Sequence, residues 1–252
     1  MPHTARVKSE STVYHVVVKG SGSQLIFEDS SDRIRFLDQL RETVEAFHVQ
    51  VHAYCLMSNH VHLLLKDVDD ELSAFMKRLN ERYAMYFSWK AGRVGNVFQT
   101  PYWSEPVKTD EHFLATLRYI HANPEPAMIC ALADYPWSSY RAYLGGASFV
   151  TTDLALDLLG NVENFKAFSA IGGRFAKPFP RSQLQNHLSG DELWNVACNI
   201  VERKILISLR SMKPKERQPY LEKLAAAGMS EREICRLSGL GKGTVHRALN
   251  AA

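Results

Sequence analysis

The sequence predicts an α+β fold in two parts, an antiparallel sheet with helices packed on it and then a small all-helical unit. Three observations point there. Strand-like runs of β-branched and aromatic residues alternate with apolar stripes at helical spacing through the first half. Two of the strand-like runs are separated only by Ser58-Asn59, as in a hairpin. From Asp191 onward only helical spacing remains.

Each element has a local reason. Residues 11–19 (STVYHVVVK) are rich in β-branched and aromatic side chains and are closed by Gly20 and Gly22, so they read as a strand. After the capping cluster Asp29-Ser30-Ser31, Ile34, Leu37, Leu40, Val44 and Phe47 recur at helical spacing. Residues 49–56 and 60–66 read as the two arms of the hairpin. Leu72, Phe75, Met76, Leu79, Tyr83, Tyr86 and Phe87 form one stripe of a longer helix that ends before Gly92. Residues 102–107 read as a short strand, with Pro106 placing it at the margin of the sheet. A helix from about Asp110 runs into Asn123-Pro124, where proline stops it.

The order β-α-β-β-α-β matches a ferredoxin-like split-βαβ domain, and the helix after it is an addition to that core. The expected organisation is a first domain over 1–148, a connecting segment over 149–190 containing Gly172-Gly173 and Pro178-Phe179-Pro180, and a helical domain over 191–252. Trp103, Trp137, Tyr140 and Tyr143 either stack on unpaired bases or close a core, and Trp137 reads as core.

Bulk properties exclude several classes. The 252 residues are 46% hydrophobic and 23% charged, which is globular composition. Runs such as Leu63-Leu64-Leu65 are far too short to cross a bilayer, and no apolar core follows Met1-Pro2-His3-Thr4-Ala5-Arg6, so neither a membrane span nor a secretory signal is expected. The four cysteines form no C-x-x-C pair and read as reduced thiols of a cytoplasmic protein. A net charge of +3 permits nucleic-acid binding without demanding it.

Two constellations carry chemistry. On a strand, His60 and His62 share one face while Val61 takes the other, so two imidazoles project side by side and can hold a metal ion. Sheet-surface histidines are the competing reading. Tyr119 and Asn123 lie four apart on a helix and share a face. At 100° per residue, Tyr119 lies roughly 150° and Asn123 roughly 110° from the cluster of Phe113, Leu114, Leu117 and Ile120. A structural tyrosine would join that stripe. A surface tyrosine beside an asparagine that merely ends the helix remains the alternative.

The run Ala53-Tyr54-Cys55-Leu56-Met57-Ser58-Asn59-His60-Val61-His62-Leu63-Leu64 resembles the signature of the HUH single-tyrosine transposases of the insertion-sequence 200/605 superfamily, most of all the REP-associated tyrosine transposases. Tyr14-His15-Val16, Phe98-Gln99, Leu117-Arg118-Tyr119-Ile120-His121-Ala122-Asn123-Pro124 and Asp134-Tyr135-Pro136-Trp137-Ser138-Ser139-Tyr140 follow in the family's order, so the resemblance covers about residues 7–145. It implies that His60 and His62 are metal ligands, that Asn123 supplies a third ligand, and that Tyr119 is the nucleophile. It further implies Mg²⁺ or Mn²⁺ as the cofactor. The implied substrate is single-stranded DNA at hairpin-containing sites, nicked and rejoined through a 5′-phosphotyrosine, by a monomer or a homodimer associated with the nucleoid. Two departures stand out. Thr100-Pro101-Tyr102 lacks the arginine usual after Phe98-Gln99, and Glu125-Pro126 replaces a common basic residue.

Residues 229–250 resemble a helix-turn-helix. Ser230 and Glu233 have capping-box spacing, Ile234 and Leu237 give a buried face, and Gly239 makes the turn. Val245 and Leu249 anchor the second helix, leaving Lys242, Thr244, His246 and Arg247 available to duplex DNA. A helical packing module is the alternative. Leu193–Leu209 would be a supporting helix, and Lys213, Lys215 and Arg217 a solvated basic face. At the level of the whole chain, a non-catalytic DNA-binding regulator is the second reading, and a metal-dependent hydrolase using water is the third.

Overall fold

The computed structural model describes residues 8–92, 95–124, 132–170, 197–198, 200–227 and 229–250. Its sheet has four strands: β1 (Val13–Lys19), β2 (Val49–Met57), β3 (His60–Asp67) and β4 (Trp103–Val107). They are antiparallel throughout, in the spatial order β2-β3-β1-β4. With α1 (Ser30–Ala46) after β1 and α2 (Leu72–Lys90) after β3, this is the expected ferredoxin-like arrangement. The added helix α3 (Asp110–Ala122) follows β4 and is capped by Thr109, whose hydroxyl accepts from His112 N at 3.2 Å.

Alternation along β3 divides the two faces. Val61, Leu63 and Leu65 are fully buried and join the buried residues of α1 and α2 in the main core. His60, His62 and Leu64 point the other way, toward α3.

The stripe expected on α1 is displaced by about one residue. Ile34 is 52% exposed, while Phe36, Leu40, Asp32, Gln39 and Thr43 are buried. The cause is a polar network that apolar periodicity does not register. Asp32 accepts from Glu28 N at 2.8 Å and from Tyr86 Oη at 3.0 Å, and it pairs with Lys90 Nζ at 2.6 Å. Thr43 donates back to Gln39 O at 2.6 Å. These partners make burial of the polar side of α1 tolerable.

A second correction concerns residues 149–190, expected as a connecting segment. Residues Asp153–Leu159 form α4 and Val162–Ala170 form α5. Val150, Ala155 and Phe165 are buried in the main core, so the first domain extends to at least residue 170. Each helix offers only one or two fully buried positions, too few to produce a readable stripe. The Gly172–Pro180 stretch lies outside the described residues, as do Glu125-Pro126 and the first part of the Leu193–Leu209 helix.

A separate apolar cluster gathers α6 (Arg203–Ser208), α7 (Pro214–Ala226), α8 (Glu231–Ser238) and α9 (Lys242–Leu249). Its centre contains Leu206, Leu209, Leu221, Leu224, Ile234, Leu237 and Val245, and Leu25 packs against it. Ser230 and Glu233 form the expected capping box, and Gly239 ends α8 in the left-handed region at φ 65°. No helix among the described residues is long and apolar enough to cross a membrane.

His52 holds the 149–151 strap against β2. It lies at the register shift between Val51 and Ala53, is 1% exposed, and its Nδ1 stands 3.0 Å from Thr151 O. Burial lowers its pKa below the ordinary imidazole range, partly offset by the bond to Thr151. The unfolded chain takes up this proton near pH 6.5 and the folded chain only at lower pH. The resulting stability is therefore complete above about pH 6.5 and is lost as pH falls below it. In urea titrations from pH 7.5 to 5, His52→Phe should show a shallower loss of stability than wild type. Equal slopes would mean that His52 is not the group responsible.

Candidate active site

The hairpin turn builds one wall of the site. Ser58 O accepts from Ile26 N at 2.9 Å and Phe27 N at 3.2 Å, and Asn59 O accepts from Gly20 N at 2.8 Å. Only glycine fits at position 20, because a Cβ there would stand 2.1 Å from Gln24 O. The turn is thus locked to the loop after β1, and β3 begins at His60 with no slack in its register.

His60 and His62 then share a face as expected, with ring centroids 4.9 Å apart. Each is held through Nδ1. His60 Nδ1 lies 2.7 Å from Asn59 Oδ1, and His62 Nδ1 lies 3.0 Å from His15 Nε2. His15 reaches His62 from β1, where Val17 pairs with His62 and His15 sits diagonally, two residues away on the same face. His15 and His62 are almost fully buried. Burial, with the nearby His112, lowers the His15 pKa to about 3. Burial first, then His60, His15 and Lys19, lowers that of His62. His15 and His62 are therefore held as neutral imidazoles, the form that binds metals.

α3 brings Tyr119 onto this cluster. The Tyr119 ring is 5.5 Å from the His62 ring and 5.9 Å from the His15 ring, both nearly edge-on. Trp103 of β4 closes the other side of His15, at 5.5 Å. Tyr119 is half-buried, and burial pushes its pKa up to about 12, against the lowering effect of a hydrogen bond from Asn123. Asn123, the C-cap residue of the helix, also donates from Nδ2 to Tyr119 O at 2.8 Å.

A buried polar clasp sets the height of α3 over the sheet. His121 Nε2 lies 2.8 Å from Ser139 Oγ, and Ser139 Oγ accepts from Tyr54 N of β2 at 2.9 Å. His121 and Ser139 are each 1% exposed, and Tyr140, Tyr143 and Phe165 surround the imidazole. Helix, strand and the 3-10 turn Ser139–Leu144 thus meet on one hydroxyl.

Among the described residues no group of three His, Cys, Asp or Glu side chains could hold a metal ion. A metal on His60 and His62 needs a further donor of another kind, and the amide oxygen of Asn123 is of that kind. The donors present fit such an ion. Both imidazoles are engaged at Nδ1, Nε2 is the other ligating nitrogen of each ring, and Asn123 carries an amide oxygen besides the NH₂ group it gives to Tyr119 O.

Residues 8–123 match the family model described as Transposase IS200 like. The match spans a little under half of the chain, and it is to the IS200-like transposases that these residues are similar. A solved structure described as "Structure of the REP associates tyrosine transposase bound to a REP hairpin" is similar at 14% identity, with a TM-score of 0.49, over 60% of this chain and 92% of that chain. No curated protein matches the chain. The matched residues contain all four of the residues expected in the site: His60, His62, Tyr119 and Asn123.

The other expected residues lie apart from it, on α9. Lys242, His246 and Arg247 are exposed and Thr244 is half-buried. His246 Nδ1 pairs with Glu231 at 2.8 Å, and Arg247 Nε donates to Gly243 O at 3.0 Å. Sequence reasoning assigned no role to His15, Ser139, the side chain of Asn59 or the imidazole of His121. For His15 a signal was present: a second histidine, on a strand of the same sheet, with the right parity to share a face with His62. Trp137, Tyr140 and Tyr143 pack against or within the main core, in line with the core reading.

Ser139→Ala removes the acceptor for Tyr54 N and the partner of His121 inside the protein. It should cost about 2 kcal/mol of stability, in the range for orphaned buried polar groups. Urea denaturation measures this, and a change below about 0.5 kcal/mol would show that the clasp is not a structural tie.

Proposed function

We propose that this protein is a transposase that cuts and rejoins single-stranded DNA at hairpin-containing sites, using Tyr119 as a covalent nucleophile. The observation that carries this reading is the tyrosine ring standing against His62, on the histidine face and within one chain. His60, His62 and Asn123 would hold one Mg²⁺ or Mn²⁺. Imidazole and amide donors suit Mn²⁺ better on ligand softness. When bound, such an ion polarises the scissile phosphate and stabilises the charge developing on it.

The protein's own groups do the rest. Tyr119 Oη forms a bond to phosphorus while the bond from phosphorus to the 3′ oxygen breaks. The phenol gives up its proton and the departing 3′ oxygen gains one, so the products are a 5′-phosphotyrosine and a free 3′-OH. The phosphodiester count is unchanged, and a different 3′-OH reverses the step to join new strands without an energy source. With its pKa near 12, the phenol needs help in losing its proton at neutral pH. Asn123 contributes by donating a hydrogen bond that favours the phenolate. That the tyrosine and the histidines stand together within one chain supports a reaction in cis. Duplex DNA is proposed as a second ligand of the α8–α9 pair, through Lys242, Thr244, His246 and Arg247. The setting for both activities is the nucleoid.

Incubation with labelled single-stranded hairpin DNA and Mn²⁺ should give a denaturation-resistant protein–DNA band. Tyr119→Phe should abolish that band while keeping the fold and Mn²⁺ binding. A band that persists in the variant, or cleavage without any covalent product, rules out the tyrosine mechanism. No band on any substrate, with duplex binding retained, would favour a non-catalytic regulator.

For the helical unit, Arg247→Ala should weaken duplex binding and reduce the salt slope of log K by about 1, as expected for loss of one phosphate contact. It should leave covalent trapping on single strands unchanged. Duplex affinity equal to wild type at every salt concentration would remove α9 as the contact.

A further inference from the structure

We propose that His15 and Asn59 are positioning residues that fix both metal-site histidines in one tautomer, with the proton on Nδ1 and the lone pair on Nε2. The proposal rests on the metal-site reading above. Its basis is the pairing at both Nδ1 atoms, 2.7 Å from Asn59 Oδ1 and 3.0 Å from His15 Nε2.

The two contacts work differently. The side chain of Asn59 is oriented by its own bond, Nδ2 donating to Ser23 O at 3.3 Å. That leaves Oδ1, which can only accept, facing His60. His60 must then carry its proton on Nδ1. The pair His15–His62 shares a single proton between two facing ring nitrogens. If His62 Nδ1 carries it, His62 Nε2 keeps its lone pair; if His15 Nε2 carries it, a neutral His62 must be protonated on Nε2 and cannot bind a metal there. Only the first arrangement leaves the two histidines matched.

His15 also has the surroundings of a fixed part. Its ring is stacked on His62 at 5.3 Å and met edge-on by Trp103 and Tyr119, so it has no room to turn away. A methyl or phenyl group could fill this space but could not accept a proton. The residue type is therefore chosen by hydrogen bonding as well as by packing.

The test is made first on the metal-free protein. Long-range ¹H–¹⁵N correlation spectra of ¹⁵N-histidine-labelled wild type should report both His60 and His62 as Nδ1–H tautomers. His15→Phe should release His62 toward the Nε2–H form, and Mn²⁺ affinity by calorimetry should fall about 10- to 100-fold. His15→Gln, which restores an acceptor oxygen, should recover part of that loss. Asn59→Leu should do to His60 what His15→Phe does to His62. An Nε2–H tautomer at either histidine in wild type overturns the proposal, even if no variant folds. So does Mn²⁺ affinity unchanged in a folded His15→Phe. If tautomers and Mn²⁺ binding behave as stated but no DNA adduct forms, the DNA-cutting reading fails and the positioning role stands.

Discussion

The rigid two-residue turn at Ser58-Asn59 is the constraint on which the site depends. Its two carbonyls are taken by three backbone N–H groups of the loop after β1, and the Asn59 side chain is engaged at both ends. A slip of one residue in this hairpin would turn His60 and His62 into the apolar core beneath α1 and α2 and bring Val61 to the face under α3. There the two imidazoles would be buried among Leu and Phe side chains without their present partners at Nδ1, which makes that register untenable. Backbone hydrogen bonding and the hydrophobic effect thus select the same alignment.

Much of this was legible in the sequence because strands and hairpins write short-range patterns. The period of two placed His60 and His62 together, and helical geometry put Tyr119 and Asn123 on one face, away from the apolar stripe. The rest was hidden for identifiable reasons. The α1 stripe was displaced because Asp32, Gln39 and Thr43 are buried by virtue of their partners, and a partner such as Lys90 is 58 residues away in the chain. Helices α4 and α5 were missed because each is too short to repeat its own pattern. His15 was visible as a residue, but its role depends on which strand lies beside β3, and that is a property of topology.

The two polar devices of the site act at different depths. The His121–Ser139 clasp decides where α3 sits, and so where the tyrosine ring is held. The contacts at Nδ1 of His60 and His62 decide which atoms of the rings are offered to a ligand. Neither touches the proposed scissile phosphate. Both are internal and need no rearrangement when substrate arrives, which is the condition under which polar groups contribute most to catalysis.

The path of residues 137–151 has a further consequence. Leu56 N donates to Trp137 O, Tyr54 N to Ser139 Oγ and Thr151 N to Val51 O, so this segment occupies the open side of β2. At the opposite end of the sheet, β4 is only five residues long and contains Pro106, which has no N–H to offer. Both flanks of the sheet are therefore poor templates for strand addition. A second copy of the chain would have to associate through helices or side-chain surfaces rather than by extending the sheet. The same closure protects a sheet rich in valine and leucine from ordered aggregation.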